Sequence, residues 1–182
     1  PLLLLAIVFF SQTSNASLGI LLAYALLLLA LWEWVSVFGV NLTEAGFSFR
    51  INPAALPLAI VIGLSVAVLE AVVTDQLGVP SLSIGAPLSW TLPIVALIAT
   101  AEEFFFRGAI LSQLSDRVGK GQGLVLASVL SATPMLLAGD VFHSMLSLVF
   151  SVLLGLTYLR ARNVAVPVAM HVAHDLLLFG FL

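Results

Sequence analysis

The 182-residue chain contains no cysteine, which excludes disulfides, thiolate metal ligands and a cysteine nucleophile and leaves the redox compartment undetermined. It is nearly as poor in charge. Six Lys and Arg and nine Asp and Glu make up 8% of the residues, against about 25% in soluble domains. The basic residues are scattered singly and the formal net charge is -3, so the chain lacks the basic stripe that phosphate-backbone binding requires and nucleic acid is not an expected partner. No internal repeat and no inverted pair of Gly- or Pro-broken helices is evident, which weighs against the commonest transporter architectures.

What is abundant is apolar surface. Hydrophobic residues make up 62% of the chain, mean hydropathy is +1.21, and the apolar runs are long enough to cross a hydrocarbon core of about 30 Å. The expected fold is all-α, a polytopic transmembrane helix bundle of six to seven helices. It forms a single transmembrane domain over 1–182, with N-terminal helices in 1–90 and a motif-bearing core in 91–182. Breaks at polar, Gly and Pro clusters place helices at 18–40, 54–73, 91–114, 122–139, 141–160 and 164–181, with residues 1–10 as the stump of a seventh. Arg50, Arg117 with Lys120, and Arg160 with Arg162 then fall in the connections 41–53, 115–123 and 160–163, all on one side. The opposite connections carry no Lys or Arg, so the positive-inside rule makes the first side cytoplasmic. The expected location is multi-pass in a prokaryotic plasma membrane, with the lipid bilayer as the first partner.

Some polar residues sit where such a bundle tolerates them. Glu33, between Trp32 and Trp34, and Glu70, near the end of its helix, read as end charges that snorkel to the interface. Helix 91–114 is different, because Glu102, Glu103 and Arg107 lie near its middle in Ala101-Glu-Glu-Phe-Phe-Phe-Arg-Gly108. Each such group costs roughly 2.5–3.5 kcal/mol at the bilayer centre, so three within six residues need a reason. Glu103 and Arg107, at i and i+4, share a face and can pair. Glu102 is rotated about 100° from Glu103 and addresses another neighbour. A structural ion pair beside a free acid or base is the expected division.

All three histidines lie in apolar surroundings further on. His143 falls early in helix 141–160, and the last helix carries His171, His174 and Asp175. A lone membrane histidine is usually a packing residue, but three, with an aspartate and two glutamates in the same bundle, point to a site. With neutral histidines, Glu102, Glu103, Arg107 and Asp175 carry a net -2. Protons, cationic imidazoles or a divalent cation must balance it.

Glu102-Glu103-x-x-x-Arg107, a histidine about 40 residues later and His171-x-x-x-Asp175 together resemble the CPBP intramembrane endopeptidase family. That family includes the CAAX prenyl proteases and bacteriocin-processing or immunity proteins. The likeness spans roughly residue 91 onward, and Gly155-x-x-Tyr158-x-Arg160 ahead of Pro167 and His171 extends it. It implies an intramembrane endopeptidase, a hydrolase that cuts membrane-associated or prenylated, CAAX-like peptides with a glutamate-activated water. By position, Glu102 matches the glutamate that activates water, and Glu103 and Arg107 match the pair beside it. His143 matches the second-motif histidine, His171 the third-motif histidine, and Asp175 its fourth-position partner. The family has been described both as metal-dependent, with zinc as one such metal, and as metal-free. Glu102, His143, His171 and Asp175 are the candidate ligands in the first case.

Two departures stand out. Gly139 occupies the place of the usual Phe four residues before His143. Asp175, where a hydrogen-bond donor would serve an oxyanion, is an acceptor unless protonated, so it is better suited to orienting His171 or to binding metal. Two other functions use similar residues: a non-catalytic membrane scaffold or sensor on the same fold, and a proton-coupled transporter.

Straight helices leave a geometric difficulty. At ~1.5 Å rise per residue, Glu102 lies roughly 20 Å from the cytoplasmic side, His171 roughly 12 Å and His143 roughly 25 Å. Helix 122–139 contains Pro134, so it is expected to end inside the bundle, with Gly139 and Asp140 turning at a buried polar cavity that lowers His143 toward the glutamates.

Overall fold

The structure is a computed structural model that describes residues 24, 26–29, 31–33, 35–37, 43, 52–80, 88–137 and 139–181. The expected stump at 1–10, the start of helix 18–40 and Arg50 lie outside the described residues. Among those described the chain is all helical. A leading helix, Leu26–Val37, is followed by α1 (Ala55–Leu77) and α2 (Leu88–Glu103). Next come a π-helical segment (Phe104–Leu111) and α3 (Ser112–Val118), then α4 (Lys120–Leu137), α5 (Val141–Ala161) and α6 (Ala165–Gly180).

The expected helix 91–114 therefore starts earlier and runs on to Val118, and its middle is π-helical rather than α-helical. The expected connection 115–123 shrinks to one residue. Gly119, at φ 90°, turns the backbone where an L side chain would be strained, and α4 begins at once with Lys120.

The bundle is held by three apolar clusters. Tyr24, Leu27 and Leu31 of the leading segment meet Ala101 and Ala109. Ala59, Phe150, Leu154, Val166 and Met170 join α1, α5 and α6. Leu111, Ala127, Tyr158 and Val164 close the end where α3 and α4 meet. α1 crosses α6 closely at Gly63, where a Cβ would come within 2.2 Å of the Met170 carbonyl oxygen. Only a residue without a side chain permits that crossing, as small residues do between membrane helices.

The outside of the bundle is apolar too. Leu58, Val61 and Leu69 on α1, Val125 and Leu136 on α4, and Met145 and Val149 on α5 are all exposed. Contiguous belts of that kind are foreign to a water-soluble surface and suited to hydrocarbon. By length and composition, α1 and α5 can each cross a membrane.

The basic ends of the helices gather together. Tyr158 near the end of α5 packs with Leu111 and Val164, and Asn52 at the head of α1 lines a cavity with Arg160. Arg117, Lys120, Arg160 and Arg162 are thus exposed at one end of the bundle, with the Gly78 and Gly139 turns at the other.

Candidate active site

Glu102 and Glu103 close α2 where the helix changes to π geometry, a change that recurs at functional sites. The two neighbours point apart, as their 100° offset demands. Glu103 is fully buried and takes Arg107 Nη1 on Oε1 at 2.9 Å. The other guanidinium nitrogen, Nη2, donates to the Ser151 carbonyl at 3.0 Å and to its Oγ at 2.8 Å, which ties the π segment to α5. The same Oε1 of Glu103 also meets His171 Nδ1 at 2.9 Å, while Oε2 is buried with no hydrogen-bond partner. The ion pair is therefore not a closed unit, because it also grips a histidine.

Glu102 keeps 24% of its side-chain surface exposed, whereas Glu103 keeps none. Its Oε1 accepts from the Tyr24 hydroxyl of the leading segment, and its Oε2 lies 3.9 Å from His171 Nε2. That nitrogen is 3.3 Å from Asp175 Oδ2. Asp175 Oδ1 in turn meets His174 Nδ1 at 2.7 Å, and His174 Nε2 meets Glu70 Oε2 at 3.2 Å. One connected network thus runs from Arg107 through Glu103, His171, Asp175 and His174 to Glu70, with Glu102 at its side.

His171 and His174 each have carboxylate oxygens at both ring nitrogens. Around them the network sets Arg107 and the two imidazoles among the carboxylates of Glu70, Glu102, Glu103 and Asp175.

The straight-helix heights are corrected by the same geometry. The polar stretch Ser112–Val118 forms α3, packed on the start of α4 at Gly123, so the apolar run ends at Leu111 rather than at 114. Glu102 and His171 stand level, with Oε2 and Nε2 3.9 Å apart.

His143 is a different case. It lies in the first turn of α5, where Asp140 caps the helix by accepting from the His143 backbone N–H at 2.9 Å and facing its ring Nδ1 at 2.6 Å. The cap hydrogen bond holds the Asp140 carboxyl below the usual carboxylate range. Gly139 is exposed and Asp140 is half-buried, so the turn is a surface turn and not the buried polar cavity expected of it. Among the described residues, Asp140 provides the carboxylate within ion-pair distance of His143. The structure brings together Glu102, Glu103, Arg107, His171 and Asp175, and no ion pair among the described residues joins His143 to them.

A metal fits this arrangement poorly. Both nitrogens of His171 already face carboxylates, and a ligand nitrogen needs a free lone pair. His143, the other candidate nitrogen donor, faces Asp140 through Nδ1, and no ion pair among the described residues joins its ring to Glu102, His171 or Asp175. Among the described residues no group of three His, Asp or Glu is arranged to hold an ion.

Two residues reached the site that the sequence pattern had assigned elsewhere or passed over: Glu70, read as an end charge, and Tyr24. A signal for Glu70 existed. Ala59, Gly63 and Ala67 form a buried small-residue row at a spacing of four, and Glu70 lies on the same flank of the helix.

The model of the type II CAAX prenyl endopeptidase Rce1-like family matches residues 84–177, about half of the chain. The chain belongs to that family. No curated protein and no solved structure matches it. Rce1-like proteins are membrane-embedded proteases, so this chain is a membrane protein of a hydrolase family. The matched span covers Glu102, Glu103, Arg107, His143, His171, His174 and Asp175, while Tyr24 and Glu70 lie ahead of it.

Proposed function

We propose that the chain is an intramembrane endopeptidase that hydrolyses membrane-associated or prenylated, CAAX-like peptides with a water activated by Glu102. The observation that carries this reading is the contrast between the adjacent glutamates. Glu103 is buried and held by Arg107 and His171, while Glu102 is open on one side and 3.9 Å from His171 Nε2.

Peptide hydrolysis needs a base for water, a stabiliser for the tetrahedral oxyanion and a proton donor for the leaving amine. Glu102 takes the proton from water as the oxygen attacks the carbonyl carbon, and returns it to the amine as the C–N bond breaks. His171, fixed through Glu103 and Asp175, faces the developing oxyanion from the same side. Arg107 and Ser151 hold Glu103 and so hold His171. No metal takes part in these steps.

We further propose that the end bearing Arg117, Lys120, Arg160 and Arg162 is cytoplasmic, and that the chain is one transmembrane domain. Its site draws on Tyr24 and Glu70 as well as on residues 91–182. A peptide anchored in the bilayer reaches Glu102 laterally, without leaving the membrane.

The position of His143 favours a second reading. If the second-motif histidine is needed for turnover, its capture by Asp140 suits a non-catalytic scaffold or sensor on the same fold. The experiment that separates the two is cleavage of a farnesylated CAAX peptide by the purified protein in liposomes, with an unprenylated peptide alongside. Cleavage of the farnesylated peptide supports the peptidase; no cleavage of either by folded protein supports the scaffold.

A further inference from the structure

We propose that Glu70 and His174 are positioning residues that set Asp175, and through it His171, for catalysis. The proposal rests on the peptidase reading for its kinetic consequence, but its geometry stands apart from it. Neither residue belongs to the Glu-Glu-x-x-x-Arg or His-x-x-x-Asp motif, and Glu70 lies outside the family match altogether.

The carboxylate of Asp175 faces a histidine ring at each oxygen. One oxygen, Oδ2, faces His171 Nε2 at 3.3 Å and the other, Oδ1, faces His174 Nδ1 at 2.7 Å. A carboxylate gripped at one oxygen can turn only in ways that keep that bond. The shorter bond to His174 therefore fixes the plane of the carboxylate, and the plane decides where Oδ2 meets His171.

His174 is itself held from two further directions. Its ring lies on that of Phe150, with centroids 4.0 Å apart and planes 23° from parallel. Its Nε2 meets Glu70 Oε2 at 3.2 Å, and 11% of the Glu70 side chain is exposed. Glu70 opposite Nε2 holds the ring from its far side, which keeps Nδ1 turned toward Asp175.

The fold explains why Glu70 arrives there. α1 and α6 run in the same direction, with Gly63 against the Met170 carbonyl. Seven residues along α1 from Gly63 is Glu70, and four along α6 from Met170 is His174, so both stay on the contact faces. A glutamate facing lipid at this depth would cost about as much as any membrane-buried acid; facing His174, it is paired.

The kinetic test uses Glu70→Gln and His174→Gln, with a fluorogenic farnesylated CAAX peptide in liposomes as the probe. Each should lower kcat roughly ten- to hundredfold, the loss of one hydrogen bond to a charged group, with KM changed by less than about twofold. In the Asp175→Asn background the same two changes should each shift kcat less than about twofold, because the carboxylate they orient is gone. Wild-type kcat in both single variants overturns the proposal, and so does an undiminished loss in the Asp175→Asn background.

The second arm needs no turnover. In protein labelled with 15N-histidine, the ring signals of His171 should move in Glu70→Gln although the two side chains do not touch, with His143→Gln and His174→Gln used for assignment. Unchanged His171 signals in folded Glu70→Gln protein overturn the positioning role. Were wild type to cleave no peptide, the peptidase reading would fail and the spectroscopic arm would still decide this one.

Discussion

Arg107 reaches back one turn to Glu103, Nη1 to Oε1 at 2.9 Å, with 2% of one side chain and none of the other exposed. Breaking a buried pair by removing one partner strands the other charge, typically at 3–5 kcal/mol. Here the stranded group would be an arginine already committed to Ser151 or a glutamate already committed to His171. Glu103→Gln and Arg107→Met should each lower the melting temperature in detergent strongly. Ser151→Ala should cost only about 1 kcal/mol, because the backbone carbonyl at 151 still accepts from Nη2. Arg107→Lys should not restore stability, since one ammonium cannot span Glu103 and Ser151 together. Melting curves of Glu103→Gln that overlay wild type would show that the pair is not what holds the π segment.

A metal-free mechanism predicts indifference to chelators. Among the described residues no group of three His, Asp or Glu is arranged to hold an ion, so peptide turnover should be unchanged after incubation with EDTA or 1,10-phenanthroline. Loss of activity on chelation, restored by added zinc, would place a metal in the reaction.

Asp140 offers a prediction about acid. Its carboxyl sits below the usual carboxylate range chiefly because it accepts the His143 backbone N–H. A lowered folded-state value means that the cap contributes fully above the unfolded value near 3.9. It fades as pH falls through the lower folded value. Asp140→Ala should cost about 1 kcal/mol at pH 7, a typical N-cap loss, and progressively less as pH falls below about 4. Melts at pH 7 and pH 3 would check this, and a cost that grew toward acid would reverse the sign argued here.

Much of the site was legible because helix periodicity is local. The i, i+4 spacing gives the Glu103–Arg107 pair, and the 100° rotation gives Glu102 a different neighbour. The same spacing puts Asp175 beside His171. The resemblance to the protease family stood on those residues and holds. What failed were features set by long-range packing or by competition for one hydrogen bond. Glu70 meets His174 across 104 residues of sequence, and an end charge on an apolar helix looks the same whether it faces water or another helix. The π segment has no spelling of its own in Phe-Phe-Phe-Arg-Gly-Ala-Ile-Leu. At the Gly139–Asp140 turn, the expected descent of His143 lost to capping, because an aspartate three residues ahead of a histidine can take both its backbone N–H and its ring.

The arrangement of the ends can be checked in a chain free of cysteine. Gln122 and Arg160 are exposed at the basic end, and Gln76 is exposed at the far end of α1. Cysteines placed singly at these positions should react with a membrane-impermeant thiol reagent in two groups. Positions 122 and 160 should label only after the cytoplasmic face is opened, and position 76 should label from outside. Labelling of all three from one side would contradict a parallel α1 and α6 spanning the membrane.

The last prediction concerns the chemistry of Glu102. Glutamine at this position keeps the size of the side chain and its acceptance of the Tyr24 hydroxyl, but cannot take a proton from water. Glu102→Gln should therefore fold and melt close to wild type, since the side chain is partly exposed and no cation is stranded when its charge is lost. Turnover of a farnesylated peptide should nevertheless fall by roughly 10²–10⁴-fold, the range that a positioned general base contributes. Tyr24→Phe removes only the hydroxyl that holds Glu102, so its effect should be smaller and should appear in kcat rather than KM. A scaffold would retain its cellular role with Glu102→Gln, and a transporter would lose coupling without ever cutting peptide. Purified Glu102→Gln protein that cleaves at the wild-type rate would remove Glu102 as the base and, with it, the reason offered for an open glutamate beside a buried one.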